Sequence, residues 1–323
     1  MPRPDPAEAA TASPAAPAQS AVWQAVDRLL ERLTADTAQA HGVTPLFARK
    51  LRTRGDAVPE ALLQEEKAAK MKNLIAPSVL ARARATYDGP MLVLKGTEVA
   101  AFYPGRARML VDLDLLVPDA ASAREGLLAN GFVRAERVKE VSPAFYHLSA
   151  LELPGLPLPI ELHKNFRSPL GLSQPPNEAL FEAGVPASVG VPGLLAPTPA
   201  HHTILLAGHA WAEHPLERLR DLIDVAVMAE KVDARELSRT AAEWGWTRVW
   251  RTTERTIDWL FGDGPKPGAA RILARHLDNL REPTALELQL RHWLSPFWTA
   301  RPLTALHVVA FLAKRAALGR RMN

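Results

Sequence analysis

Apolar residues recur at helical spacing from the start of the patterned chain. Val22, Val26, Leu29, Leu30 and Leu33 fall on one face, with Asp27, Arg28, Glu31 and Arg32 between them, the signature of an amphipathic helix. Pro45, Gly55 and Pro59 then punctuate the chain, and a second helical stretch is predicted from Pro59 to Arg84, interrupted or kinked at Pro77. The period changes after the turn signal Asp88-Gly89-Pro90. Met91 to Leu94 form a short apolar run ending in Lys95-Gly96-Thr97, where a helix is expected to start. Residues 110–117 (LVDLDLLV) read as a strand, the segment from Leu127 as a helix end stopped by Gly131, and residues 145–153 and 158–164 as two strands joined by a Pro/Gly turn. The proline-rich stretch 169–199 reads as loop. Beyond Thr198 the pattern is helical nearly to the end: Pro199 suits a first helical turn, and helices are predicted over 200–214, 218–231, 233–245, 247–261 and 267–281. The last, 303–319, ends among Lys314, Arg315, Arg320 and Arg321. It reads either as a membrane-surface helix or as a packing helix whose basic end complements its dipole.

This order implies an α+β fold: a small mixed sheet enclosed by N-terminal helices and a C-terminal helical domain. The predicted divisions are an Ala/Pro-rich disordered tail over 1–20, a helical region over 21–87, a sheet-bearing core over 88–197 and a helical domain over 198–323. The 323 residues are 47% hydrophobic and 23% charged, a balance that supports a sizeable core. No cysteine is present, which excludes disulfides, thiolate zinc sites and cysteine nucleophiles. The formal charge of +4 arises from 39 basic against 35 acidic residues, a bias toward phosphate-bearing partners too small to distinguish from a basic surface kept for solubility. No run is long and apolar enough to span a membrane, the N-terminus lacks a signal-peptide pattern, and cytoplasmic residence is the default expectation.

The chemistry concentrates on three carboxylates. Side chains two apart on a strand share a face, so Asp112 and Asp114 project together while Val111, Leu113 and Leu115 point to the opposite layer. Two such acids repel unless a cation lies between them, and Mg²⁺ favours oxygen ligands. Glu161, between Ile160 and Leu162, is the candidate third ligand of a two-metal site. Asp-x-Asp alone also occurs at strand ends and turns. Lys95-Gly96-Thr97 at a strand-to-helix junction adds a phosphate cradle, or a plain helix cap. His163 shares the face of Glu161 and is read either as touching substrate or as a structural hydrogen bond. His201, His202, His209 and His214 do not share one helical face and read as packing or polar-network residues. Arg218, Arg220, Asp221 and Asp224 read as an intrahelical ion network, and Trp244, Trp246, Trp250 and Trp259 as packing residues.

The series Leu94-Lys95-Gly96, Tyr103-Pro104, Arg108, Asp112-Leu113-Asp114-Leu115-Leu116-Val117 and Glu161-Leu162-His163 resembles the signature of the uncharacterised bacterial nucleotidyltransferase family, within the DNA polymerase beta-like superfamily. His41 to Leu46 and the segment from His209 through Asp224 resemble its flanks, so that the likeness covers about residues 21–262. Two positions depart from the pattern: Thr97 stands where the superfamily has Ser, and Val111 where the family often has Gly.

The resemblance implies transfer of a nucleoside monophosphate from a nucleoside triphosphate, ATP first among them, to a hydroxyl-bearing acceptor, with loss of pyrophosphate. Asp112, Asp114 and Glu161 would hold two Mg²⁺ ions, or Mn²⁺ in their place. Lys95, Gly96, Thr97, Arg108 and His163 would bind the nucleotide. A small-molecule or peptide acceptor, as in natural-product biosynthesis, is one reading. A toxin-like enzyme acting on RNA ends or on protein, and a non-catalytic nucleotide-binding scaffold, are the others. The resemblance and the like-charge argument together predict that Asp114→Asn lowers activity by orders of magnitude without cost to folding stability.

Overall fold

A computed structural model describes residues 20–135 and 146–319. The predicted tail over 1–20 apart from its last residue, residue 145 at the start of one predicted strand, and Arg320 and Arg321 lie outside the described residues.

The chain opens with four helices, α1 (Ala21–Leu30), α2 (Ala35–Ala40), α3 (Thr44–Thr53) and α4 (Glu60–Arg84). Ser20 caps α1 through Trp23 N–H, and α4 continues through Pro77 rather than ending there. Then come β1 (Met91–Val93), the single turn α5 (Thr97–Ala100), β2 (Leu113–Leu116), α6 (Ala120–Ala129), β3 (Val133–Arg134), β4 (Leu151–Leu153), β5 (Leu156–His163), α7 (Asn177–Glu182), β6 (Val185–Pro186) and β7 (Leu194–Ala196). The C-terminal part is helical: α8 (Pro199–Glu213), α9 (Leu219–Ala229), α10 (Ala234–Glu243), α11 (Thr247–Phe261), α12 (Gly268–Leu273), α13 (Ala285–Leu294), α14 (Pro296–Thr299) and α15 (Pro302–Gly319). The fold is α+β, as the hydrophobic pattern implies.

The seven strands form one mixed sheet in the order β3-β4-β5-β2-β1-β7-β6. The central β2 runs antiparallel to β1 and parallel to β5. Alternation sorts the sheet's side chains into two cores. Met91, Val93, Leu113, Leu115, Leu158, Ile160 and Leu162 pack against Ala76, Val79, Leu80 and Ala83 of α4 and against Ala123 and Leu127 of α6. Leu92, Leu94 and Leu116 face the other way, into a larger core built from α1 to α3 and from α8 to α12. A residue on this second face of β2 or β5 therefore looks toward the C-terminal helices.

Several elements differ from the expected ones. The predicted strand 110–117 is ordered as a strand only over 113–116, which leaves Asp112 just ahead of it. Val111 is 55% exposed rather than packed in the layer that holds Leu113 and Leu115. The stretch 169–199, expected as loop, contains α7, β6 and β7. The predicted helix 267–281 is α12 followed by a tight turn over Arg275–Asp278.

Candidate active site

β2 and β5 pair in a register that sets Asp114 beside Glu161 and Leu116 beside His163. With Leu113, Leu115, Ile160 and Leu162 in the sheet's far core, the period of two turns Asp114, Glu161 and His163 to the same side. Lys95 and Gly96 follow β1 on the neighbouring strand. The segment leading to Asp112 is tied down by α4: Asn73 donates to the carbonyl of Arg108 (3.2 Å) and Lys72 to that of Val111 (3.1 Å). From the C-terminal half, α8 brings His209 and α9 brings Arg220. Together they enclose a cleft of about 280 Å³ that includes Lys95, Gly96, Asp112, Asp114, Glu161 and His163.

Asp114 is the most constrained of the acids, only 2% exposed. One carboxylate oxygen meets His163 Nε2 at 2.8 Å, and the other lies 3.3 Å from Lys95 Nζ. Burial alone would raise its pKa, but the Lys95 ammonium and the His163 hydrogen bond hold it well below the ordinary carboxylate value. The neighbouring acids go the other way. Burial, then the charge of Asp114, raises Asp112. Burial, then Asp112 and Asp114, pushes Glu161 up to about 8. Three acids thus share a space whose internal cation, Lys95, is committed first to Asp114.

The donor set suits a divalent cation. Carboxylate oxygens of Asp114 and Glu161 and a ring nitrogen of His163 lie within 4.8 Å of one another. Asp114 Oδ2 has the Lys95 ammonium at 3.3 Å, and three crowded carboxylates are what a hard cation relieves. The Thr97 hydroxyl is buried without a hydrogen-bond partner but does not line the cleft. Asp112 lines the same cleft outside this closest group. His163 bonds directly to Asp114, so its ring orients that carboxylate.

Gly96 has φ +66° and ψ −105°, a conformation side chains resist, and it lets the chain turn from β1 into α5. A Cβ there would sit 3.6 Å from the carbonyl of Asp112. Thr97 opens α5 as expected, although that helix is only one turn long. Its next residue, Glu98, accepts the backbone N–H groups of Ser188 (2.9 Å) and Val189 (3.3 Å).

Arg108 lines the cleft, yet its charge is already matched. Its Nε and Nη2 donate to the two oxygens of Asp224 at 2.8 and 2.6 Å, and Tyr103 adds its hydroxyl at 2.6 Å. Helical spacing alone places Asp224 in an intrahelical network. Instead it reaches across to the sheet-bearing half, a long-range pairing that such spacing does not reveal. Arg220 does contact Asp221, at 3.1 Å. The other side of the cleft holds Tyr146, whose hydroxyl donates to Glu213 at 3.0 Å, and Arg167, which pairs with Glu213 and stacks on the Tyr146 ring. Sequence reasoning singles out neither Tyr146, Arg167 nor Glu213, because they stand outside any motif. His209 approaches Lys95 Nζ at 3.5 Å, and His214 lies 3.7 Å from Glu217. Trp244, Trp246 and Trp250 are buried, as their spacing suggests.

Among solved structures, the antibiotic-resistance factor ANT(2'')-Ia is 16% identical, with 58% of this chain and 97% of that one covered and a TM-score of 0.37. JHP933 from Helicobacter pylori is 14% identical over 83% of this chain and 100% of its own, with a TM-score of 0.34. Both are too distant to bear on the site. No protein of curated function matches the chain. A family model described as "Uncharacterised nucleotidyltransferase" matches residues 30–262, a span that takes in the whole sheet, the three acids and the helices that close the cleft. The chain belongs to that uncharacterised nucleotidyltransferase family.

Proposed function

We propose that this protein transfers a nucleoside monophosphate from a nucleoside triphosphate to a hydroxyl of a small-molecule or peptide acceptor, with pyrophosphate as the leaving group, in a divalent-cation-dependent reaction. The observation that carries the reading is the convergence of Asp112, Asp114 and Glu161 on one cleft, with Asp114 and Glu161 side by side on β2 and β5. Asp112, Asp114 and Glu161 would hold Mg²⁺, with Mn²⁺ as a substitute, and the ion supplies charge neutralisation for the triphosphate and for the oxygen that attacks it.

The chain's own residues do the rest. Phosphoryl transfer needs positioning and charge balance more than covalent help. The Lys95 ammonium, raised by Asp114 and Asp112 against the effect of burial, stays charged as a counterion to phosphate. Gly96 presents backbone without a side chain to the cleft, and Thr97, buried behind it, opens α5. Burial and its acidic neighbours raise the pKa of Glu161, and a bound cation would hold it ionised, so that it accepts the proton of the acceptor hydroxyl as the new O–P bond forms and the bond to pyrophosphate breaks. His163 acts through Asp114, and Arg108 through Asp224, as positioning residues. On this reading residues 88–197 carry the chemistry and residues 198–323 close over it. Incubation with each labelled triphosphate and Mg²⁺, followed by mass analysis of cell-extract components, should find one that gains a nucleoside monophosphate. No gain with any triphosphate would count against the reading.

A further inference from the structure

We propose that the outer face of α15 docks onto an anionic lipid surface. Leu303, Leu306 and Phe311 are 74%, 55% and 60% exposed. Helical spacing gathers them on the outer side of the helix together with the exposed His307, Ala310 and, at the far end, Lys314. The inner side is apolar too: Ala305 and Leu312 are buried. A helix apolar all round is normally covered all round, and among the described residues nothing covers this face. Three more exposed leucines, Leu286, Leu288 and Leu290, stand on α13, and Phe297 on α14. A row of exposed apolar side chains along one helix face, as on α15, marks an interaction surface.

Charge selects the occupant. From Leu288 to Asn323 the chain has no acidic residue and six basic ones. Of these, Arg301 and Lys314 are exposed at the two ends of the apolar row. Two copies meeting through this face would bring like charges together. A bilayer bearing anionic headgroups meets both demands, because acyl chains take the leucines and the phenylalanine while the headgroups take the cations. Among the described residues no helix is long and apolar enough to cross a membrane, so α15 would lie in the interface. From Leu303 to Lys314 the row is about 17 Å long at ~1.5 Å per residue, a patch suited to reversible binding.

Co-sedimentation of the full chain with vesicles tests this. The protein should pellet with mixed phosphatidylglycerol and phosphatidylcholine vesicles, much less with phosphatidylcholine alone, and less again at high salt, where the screening length shrinks to about 3 Å. Leu306→Asp or Phe311→Asp should lower the bound fraction about tenfold. Lys314→Gln, an exposed change that removes one charge and leaves the packing intact, should lower it about fivefold. Unchanged thermal melts would show that the variants fold. Absence of pelleting, equal pelleting with neutral vesicles, or variants that bind like the parent would overturn the proposal. So would a concentration-dependent dimer that Leu306→Asp abolishes.

Discussion

At the scale of single residues, the same charge has opposite consequences at neighbouring positions. Asp224 is buried and held by three hydrogen bonds from Arg108 and Tyr103. Asp224→Asn would strand the Arg108 guanidinium without its counter-charge, and breaking such a buried pair costs about 3–5 kcal/mol. Tyr103→Phe removes one hydrogen bond from the same group and should cost nearer ~1–2 kcal/mol. Urea melts of the two variants should rank them in that order, and equal losses would mean that the pair is not the main contributor. Asp112 and Asp114 also part company. The like-charge argument predicts that Asp114→Asn leaves stability intact. However, Asp114 is the acid that Lys95 and His163 stabilise, so its neutralisation should lower the melting temperature. Asp112 carries the destabilised charge, and Asp112→Asn should melt at or above the parent temperature.

At the scale of elements, α8 is set against the start of α11 by a missing side chain. A Cβ on Gly208 would overlap the ring of Trp246, which is fully buried and donates its indole N–H to the carbonyl of Ser173. Alanine normally favours a helix interior by about 1 kcal/mol over glycine. Here overpacking should outweigh that, and Gly208→Ala should lose roughly 1–3 kcal/mol by thermal melt. A stabilised Gly208→Ala would show that α8 and Trp246 can separate freely. Strong periodicity makes the long elements legible: α1, α8, α9 and α11 follow from their apolar spacing, and the face shared by Asp114, Glu161 and His163 follows from alternation on β2 and β5. The strands β6 and β7 are two and three residues long, too short to display a period, and the prolines around them resemble loop chemistry. The partners of Asp114 and of Asp224 are not legible, because each lies on an element remote in sequence, and no local spacing encodes such a pairing.

At the scale of the whole molecule, folding buries histidines in their neutral form. Burial pushes His202 and His276 down to about 4, with Arg291 adding to the effect at His276. His276 donates from Nε2 to the carbonyl of Glu217 (2.7 Å) and accepts Arg291 at Nδ1 (2.7 Å), so it has no place for a second proton. Below the unfolded value of ~6.5 the unfolded chain binds protons that the native one refuses. This stability is present above about pH 6.5 and is lost as pH falls toward 4, by roughly 2 kcal/mol per histidine at about pH 5. Protonation of Glu161, raised to about 8, works in the opposite direction, so the check is the ring titration itself. His202 and His276 followed by NMR should stay neutral down to about pH 5, and titration near ~6.5 would contradict neutral burial. The central claim is that the acids facing the cleft make nucleotide binding depend on a divalent cation. Its most direct test is titration of a non-hydrolysable ATP analogue into the parent and into Asp112→Asn, with Mg²⁺ and with chelator. The account predicts binding by the parent only with Mg²⁺, and a loss of about tenfold or more in the variant although it remains folded. Binding that is equally tight in chelator, or unchanged by Asp112→Asn, would contradict it.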